Sequence, residues 1–387
     1  MMRMGCLKRY NHVVSCISKN ICMFLTAIFI FTLIPGIGTA EEGIEEPQTA
    51  IYKAKVVEIK DTIEEEFQEG NMKVITQIAS LRILNKDLKG KIVEVENTLM
   101  GNPAHDINLE PEVVVAVHME KYEGEEPVFY VSSYERINYI FQIIGIFLVL
   151  LILFGGWKGF KSIVSLGITV FLVLYVMIPL LLKGTNPILL AVGVCGVSTI
   201  ATMLIIAGWN RKAVSAIIGT VGGITAGGMI AYIYSVVARL TGLGTEDAQM
   251  LMFIPQKVAF NFQGLLFAGI LIGALGAAMD VSISIASALT ELVSKDEEIP
   301  FGQLFKHGMN IGKDIMGTMS NTLILAYTGG ALSMIMLFAA YQTSWHEVLN
   351  FDFVATEIIR SVAGSIGLLF AIPITALSFA LLHQRFR

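Results

Sequence analysis

Two rows of polar residues stand within the most apolar part of this 387-residue chain. The first row consists of Asp280, Ser284, Ser287 and Glu291, and its spacing of four, three and four residues places all four on one face of a helix. Ionisable groups at membrane depth are costly, and they usually pair with one another or line a pathway. We therefore take Asp280 and Ser284 as candidate residues for binding a transported cation or proton.

The second row repeats this spacing on the next segment of the chain. It consists of Asn310, Asp314, Gly317 and Asn321, with Thr318 beside it. Each row carries an acid near the predicted inner boundary of the membrane, so we expect the two rows to face each other across a cavity. The candidate site therefore comprises Asp280, Ser284, Asn310, Asp314, Thr318 and Asn321.

Both acids also have a structural interpretation. Aspartate is a favoured helix N-cap, so Asp280 could cap the helical segment that follows it. Asp314 could lie in the cytoplasmic headgroup zone beside Lys313. The sequence leaves these alternatives open.

Seven apolar stretches fill the chain from residue 137 to its end, and the two rows lie in and beside the fifth and sixth. A helix rises about 1.5 Å per residue, so roughly 20 apolar residues cross a hydrocarbon core about 30 Å thick. The stretches are residues 137–154, 162–182, 188–207, 213–237, 264–279 (which continues to 285 once Asp280 is admitted), 315–338 and 361–382. Because lipid offers no water to open backbone groups, these stretches must be helices. The sequence predicts an α-helical polytopic membrane protein whose residues 137–387 form a seven-helix bundle.

Charge is distributed unevenly along the chain. Only 15% of the residues are charged, against about 25% in soluble domains. Residues 41–136 hold 21 acidic and 10 basic residues, a balance of −11, whereas the rest of the chain sums to +6. A solvated acidic surface of this kind argues against nucleic acid as a partner.

The first 40 residues have the pattern of a secretory signal peptide. Four basic residues between Arg3 and Lys19 precede an apolar run of 14 residues, 21–34, and Gly38-Thr39-Ala40 is a small-x-small cleavage site. We predict cleavage after Ala40, and the alternative is an uncleaved anchor. In either case we expect residues 41–136 to be exported and the protein to reside in an inner or plasma membrane.

Residues 41–136 predict a small extracytoplasmic β-rich domain. Stretches rich in Val and Ile are separated by glycine and proline, and they predict strands at 51–59, 73–84, 91–95, 112–120 and 128–132. Five short strands favour a barrel-like fold of the OB or barrel-sandwich kind. The segment has no cysteine, and its two histidines, His105 and His118, are interpreted as solvent-exposed rather than as metal ligands.

The distribution of Lys and Arg predicts the orientation of the bundle. With residues 41–136 outside, the inner loops carry nine cations and the outer flanks five, so the excess lies on the side that the positive-inside rule requires. The carboxyl terminus then lies in the cytoplasm. The inner cations are Lys158, Lys161, Arg211, Lys212, Lys295, Lys306, Lys313, Arg385 and Arg387, and the outer ones are Arg136, Lys183, Arg239, Lys257 and Arg360.

Small residues in the predicted helices are spaced for close packing. Gly219, Gly223 and Gly227 recur at every fourth position, and Gly269 and Gly273 form another pair. Such faces let helix backbones approach each other in lipid, where packing replaces the hydrophobic driving force. They predict a compact bundle and are not specific to a function.

Two blocks of sequence carry a family resemblance. One is Gly273-Ala-Leu-Gly followed by Met279-Asp280-Val281, and the other runs through residues 308–323 as GMNIGKDIMGTMSNTL. With the order of leader, β segment and seven helices, these blocks resemble the YibE/F family of bacterial multi-pass membrane proteins over residues 50–382. Lys313 stands where the family pattern has arginine, which keeps the charge and loses bidentate binding. The resemblance implies the architecture and brings no established activity.

Three classes of function are compatible with these features. We expect a permease for a small solute or ion, with a polar site between the fifth and sixth helices and with Asp280 and Asp314 as cation or proton sites. The alternative is a non-transporting envelope scaffold whose acidic β domain binds an extracellular partner.

An enzyme is disfavoured because known motifs are incomplete. Residues 276–280 do not match the Gly-x-Gly-Asp signature of intramembrane aspartyl proteases, and His346-Glu347-Val-Leu-Asn350 lacks the second histidine of a zinc motif. There is no Walker sequence. We expect no catalysis, cofactor or metal. The expected partners are the lipid bilayer, the unidentified solute or ion, and an envelope protein or a second copy of the chain.

Overall fold

The computed structural model describes residues 48–67, 72–122, 124, 126–254 and 259–385. The predicted signal peptide, residues 1–40, lies outside this part of the chain. The described residues divide into two compact units on either side of residue 140, and each unit is described by itself below.

The first unit is a five-stranded antiparallel sheet. Its strands are β1 (Gln48–Phe67), β2 (Met72–Ile83), β3 (Ile92–Leu99), β4 (Val114–Lys121) and β5 (Val128–Tyr134), in the order β3-β2-β1-β4-β5. The edge strands β3 and β5 approach each other, so the sheet curls into a half-barrel. Each of the five predicted strands corresponds to one of these strands, and the β-rich barrel-like prediction is confirmed at this level.

Strand β1 is much longer than the sequence predicts. It spans 20 residues, and its pairing with β2 shifts register between Val56 and Glu58 and again between Ile59 and Asp61. Such bulges insert an extra residue into one strand and disrupt the alternation of inward and outward side chains. The sequence therefore predicts a strand that ends at residue 59, whereas in the structure β1 pairs with β2 as far as Phe67, which lies opposite Met72.

The concave side of the half-barrel holds an apolar core with a buried amide network. Val56, Leu81 and Val117 are fully buried there. The Gln77 carboxamide oxygen accepts from the Leu109 amide at 2.9 Å, and the Asn97 side chain donates to the Ile107 carbonyl at 2.8 Å. These bonds fasten the loop before β4 to β2 and β3, because they satisfy polar groups that burial would otherwise leave costly.

The Tyr52 phenol forms a second polar anchor. Tyr52 is 3% exposed, and its hydroxyl donates to the Asp87 carboxylate at 3.0 Å. Burial raises the pKa of Tyr52 above its usual value, and the hydrogen bond to Asp87 and the negative charge of Asp87 act in the same direction. The fold therefore favours the neutral phenol.

The second unit is helical. Its α-helices are α1 (Ile137–Phe171), α2 (Ile178–Leu182), α3 (Pro187–Ala207), α4 (Arg211–Val237), α5 (Glu246–Met250), α6 (Phe262–Lys295), α7 (Phe301–Gly330), α8 (Leu332–Ala340), α9 (Trp345–Val348) and α10 (Asp352–Arg385). A π-helical segment, Leu172–Met177, joins α1 to α2. In the described part of the chain, five helical segments are long and apolar enough to span a membrane, or six if α7 and α8 count as one bent span. The chain is therefore a polytopic membrane protein.

The first two of the seven predicted apolar stretches form one helical segment in the structure, which is interrupted only at Gly156. The segment Ile137–Leu182 is helical throughout except at Gly156, whose φ of 52° and ψ of −132° are not helical. A Cβ added at Gly159 would overlap the carbonyl oxygen of Leu151. In a straight helix, residues eight positions apart are separated by about 12 Å along the axis. The helix is therefore sharply kinked at Gly156, and the predicted stretches 137–154 and 162–182 lie on either side of this kink.

Glycines on α4 allow this helix to approach α10 closely. A Cβ at Gly223 would lie 2.6 Å from the Gly367 carbonyl oxygen, and one at Gly227 would lie 2.7 Å from the Ala363 carbonyl oxygen. Both carbonyls belong to α10, so the predicted glycine face of α4 packs against that helix, as small residues allow in lipid. By contrast, a Cβ at Gly269 would meet nothing within 4 Å, so Gly269 does not take part in the predicted glycine pair.

Candidate functional site

Helix α6 carries the first predicted row through the middle of the bundle. The Asn261 side chain caps this helix by accepting from the Gly264 amide at 2.8 Å, and the helix then runs unbroken to Lys295. Asp280 thus lies in the interior of α6, which excludes its interpretation as an N-cap. Ala278, Val281 and Ile285 are buried in the bundle.

The predicted row lies on the opposite side of α6 from this buried face. Asp280, Ser284 and Glu291 are exposed, and Ser287 is half-buried. In the part of the chain that the structure describes, the Asp280 carboxylate forms no hydrogen bond or ion pair. An unpaired carboxylate on an apolar helix is expensive unless it meets water or a cation.

The polar row on α6 contacts Tyr327 at its amino-terminal end. Gly273 is seven residues before Asp280 and therefore lies on the same face of the helix. A Cβ at Gly273 would overlap the hydroxyl of Tyr327, which belongs to α7. From Gly273 to Glu291 the row extends over 18 residues, about 27 Å of helix, close to the thickness of a hydrocarbon core.

Helix α7 presents its predicted row to the outside. Its buried residues are Leu304, Gly308 and Gly312, and a Cβ at Gly308 would lie 2.7 Å from the Ala376 side chain of α10. Residues on the opposite face are exposed, namely Asn310, Asp314, Thr318 and Asn321. Among the described residues, no hydrogen bond or ion pair joins the two predicted rows. The apolar and glycine face of α7 takes the contact with α10, and the polar face is turned away from it.

The sixth predicted stretch, residues 315–338, is not one straight helix. Helix α7 ends at Gly330, α8 begins at Leu332, and the two axes differ by 60°. A cavity of about 620 Å³ lies beside this bend. Its lining is mostly apolar and aromatic and includes Phe338, Trp345 and Phe353, together with the polar side chains of Thr328, Gln342 and Glu357.

A charged cluster adjoins the cavity. Arg360 donates to the Glu357 carboxylate at 2.8 Å, and its guanidinium lies over the Tyr327 ring, 5.9 Å from the ring centroid. The Nε of Arg360 is buried and has no hydrogen-bond partner among the described residues, and the same holds for Oγ1 of Thr356, one turn earlier on α10. Tyr327 thus connects the row on α6, through its hydroxyl, with the ion pair at the cavity, through its ring.

Sequence reasoning missed this cluster. From the sequence, Arg360 is counted only as one of the cations on the outer side of the membrane, and Glu357 is not singled out. The signal was present, since the pair is spaced i, i+3 on a helix and stands directly before the apolar stretch 361–382. Among the residues that the structure describes, no group of three or more His, Cys, Asp or Glu side chains is placed to hold a metal ion.

The fold and the site define a polytopic membrane protein. A β-rich amino-terminal unit precedes a bundle of long apolar helices, one of which carries the unpaired carboxylate of Asp280. The sequence model of the YibE/F-like proteins matches residues 143–385, and that of the YibE/F family N-terminal domain matches residues 49–134. The chain belongs to the YibE/F family. Neither a curated protein nor a solved structure matches the chain.

Proposed function

We propose that this protein is a permease that moves a small solute or ion along the polar row of α6. The observation that carries the proposal is the exposed row from Gly273 to Glu291, which is about as long as a bilayer core is thick and ends at Tyr327 beside the cavity. A helix whose only task is to anchor a domain has no need of an aspartate in its middle.

Each group on this path has a distinct role in the proposal. Asp280 is seven residues from one end of the row and eleven from the other, so it provides a binding site for a cation or proton near the middle. Ser284 adds a hydroxyl ligand one turn away. Glu291 marks the inner mouth, and the Glu357–Arg360 pair marks the outer one.

The bend between α7 and α8 supports the same proposal. Many transporters bind their substrates where a membrane helix is interrupted, because the interruption leaves backbone groups and helix ends available to the ligand. Here the interruption lies beside a cavity large enough for a small solute. The residues Asn310, Asp314, Thr318 and Asn321 lie outside this path within one chain.

The proposed orientation has seven spans. In this proposal the kink at Gly156 divides Ile137–Leu182 into two of them, and the bent pair α7–α8 counts as one. In this arrangement a signal peptide precedes the β unit, the β unit lies outside a bacterial inner or plasma membrane, and the carboxyl terminus lies in the cytoplasm. The excess of Lys and Arg in the inner loops supports it.

The path can be tested by the accessibility of single cysteines to a charged, water-soluble thiol reagent. In a variant without the native cysteines, Ser284→Cys should react in membranes, because the row meets water. Ser282→Cys is the matched control, since Ser282 lies on the buried face of the same helix and is 0% exposed. Equal protection of both cysteines would contradict a hydrated path along α6.

An envelope scaffold is the second candidate, and one observation on the β unit favours it. Ile51 of β1 pairs with His118 of β4, which pairs with Tyr130 of β5, so these three residues are neighbours across the sheet. Ile51 is 58% exposed and Tyr130 is 49% exposed. Exposed apolar side chains grouped in this way are typical of protein-binding surfaces. If this surface binds an envelope protein, Tyr130→Ser should abolish co-purification of that partner without altering expression.

A further inference from the structure

The outer face of α7 has the spacing of a helix–helix seam. Asn310, Asp314, Gly317 and Asn321 follow one another at intervals of four, three and four residues, and all are exposed. Gln303 and Thr328 extend the same line by seven residues at either end and are exposed as well. Alternating steps of three and four are the signature of a helix face that packs along its length against another helix.

Lipid alone is a poor cover for this face. Asn321 lies inside the apolar stretch 315–338, where lipid offers its amide no hydrogen-bond partner, and Asp314 lies one residue before that stretch. Helix α7 also fails to reach the apolarity of a spanning helix unless α8 is counted with it. In the described part of the chain, the Asp314 carboxylate has no hydrogen bond or ion pair. The seam therefore requires a polar partner.

We propose that a second copy of this chain covers the seam, with the two α7 helices packed about a two-fold axis along the membrane normal. Such an axis brings each residue to the level of its own counterpart. Asn310 then meets Asn310, and Asn321 meets Asn321. An amide carries both donors and an acceptor, so it pairs with an identical amide.

Two further features of the seam suit a second copy. A Cβ at Gly317 would meet nothing within 4 Å in its own chain, so the centre of the seam is open to close approach by another helix. Lys313 and Asp314 are adjacent and both exposed, so two parallel seams can exchange ion pairs between Lys313 of one copy and Asp314 of the other.

The seam also runs into the cavity. Thr328, at the carboxyl-terminal end of the seam, lines the cavity beside the α7–α8 bend. A second copy on the seam would add a wall to that cavity, which α7 to α10 of one chain leave incomplete. The inference about the dimer does not depend on transport, because it rests on the polarity and spacing of α7.

Disulfide cross-linking in native membranes tests the proposal. In the full chain without native cysteines, Gly317→Cys should form a covalent dimer under mild oxidation. The matched control is Gly193→Cys on α3, another exposed glycine whose added Cβ would meet nothing within 4 Å. We expect about tenfold more dimer at Gly317 than at Gly193, because paired thiols have a high effective concentration.

A second variant separates the interface from folding. Gly317→Trp adds bulk where its own chain leaves space, so it should fold as a monomer, whereas the unaltered protein has the mass of a dimer in mild detergent. Three results would overturn the proposal: equal cross-linking at Gly317 and Gly193, a cross-link from Gly317→Cys to another protein, or a monomeric mass for the unaltered chain.

Discussion

The contact between α4 and α10 makes a quantitative prediction for Gly227→Ala. The added Cβ would lie 2.7 Å from the Ala363 carbonyl oxygen and 2.8 Å from the Gly367 Cα. Both atoms are backbone, so no side chain can turn aside. Ordinary contacts begin at about 3.4 Å, so the two helices must separate by roughly 0.7 Å. Overpacking of this kind costs about 1–3 kcal/mol, and the better helix propensity of alanine returns up to about 1 kcal/mol.

We therefore expect Gly227→Ala to destabilise the helical unit by about 1–2 kcal/mol, which corresponds to a fall of roughly 2–4 °C in its denaturation midpoint, because a unit of about 250 residues shifts by about 2 °C per kcal/mol. The assay is the fraction of monodisperse protein that remains after heating in detergent. Gly269→Ala is the control, because its Cβ would meet nothing within 4 Å and the midpoint should stay constant or rise. Equal midpoints for the two variants would refute the close approach of α4 to α10.

Three further predictions concern the β unit and the orientation of the chain. Because the pKa of Tyr52 is raised in the folded state, the neutral phenol stabilises the fold fully below about pH 10, and this contribution is lost as the pH rises through the folded-state pKa. Tyr52→Phe should remove that alkaline loss, measured by circular dichroism during denaturation at pH 8 and pH 11, and an unchanged pH dependence would contradict the role of Tyr52. Gln77→Leu leaves the Leu109 amide without its acceptor and removes one of the two acceptors of the Asn97 side chain, so it should cost about 1–3 kcal/mol and increase amide exchange in residues 100–113; unchanged exchange would mean that other contacts hold this loop. In intact cells, Thr343→Cys should react with an impermeant thiol reagent and Lys212→Cys should not, and the opposite pattern would reverse the proposed orientation.

The sequence predicts the elements of both units well, because their signals are local. In β3 every second side chain is buried, and alternation of this kind is visible in the sequence itself. The apolar stretches likewise follow from the cost of exposing backbone to lipid. The limits of β1 were missed because its bulges break the alternation.

The candidate site was less predictable, because it depends on which helix faces meet. Periodicity assigns Asn310 and Asp314 to one face of α7, but it does not say whether that face turns inward. That choice depends on Gly308 and Gly312, whose missing side chains let α10 approach the other face. The contact of Tyr327 with Gly273 and Arg360 joins residues of three helices that lie more than 30 positions apart in the sequence, and no local pattern contains it.

Transport through the α6 row is the central claim, and flux measurements on purified protein in liposomes test it most directly. A panel of ions and small solutes, each with and without a pH gradient, should yield at least one that enters faster than in protein-free liposomes. Asp280→Asn keeps the size of the side chain and removes its charge, so it should reduce that flux about tenfold or more while the protein still reconstitutes. Asp247→Asn, in the exposed helix α5, is the matched control and should leave the flux unchanged. A flux that survives Asp280→Asn unaltered, or the absence of flux for every member of the panel, would contradict the permease.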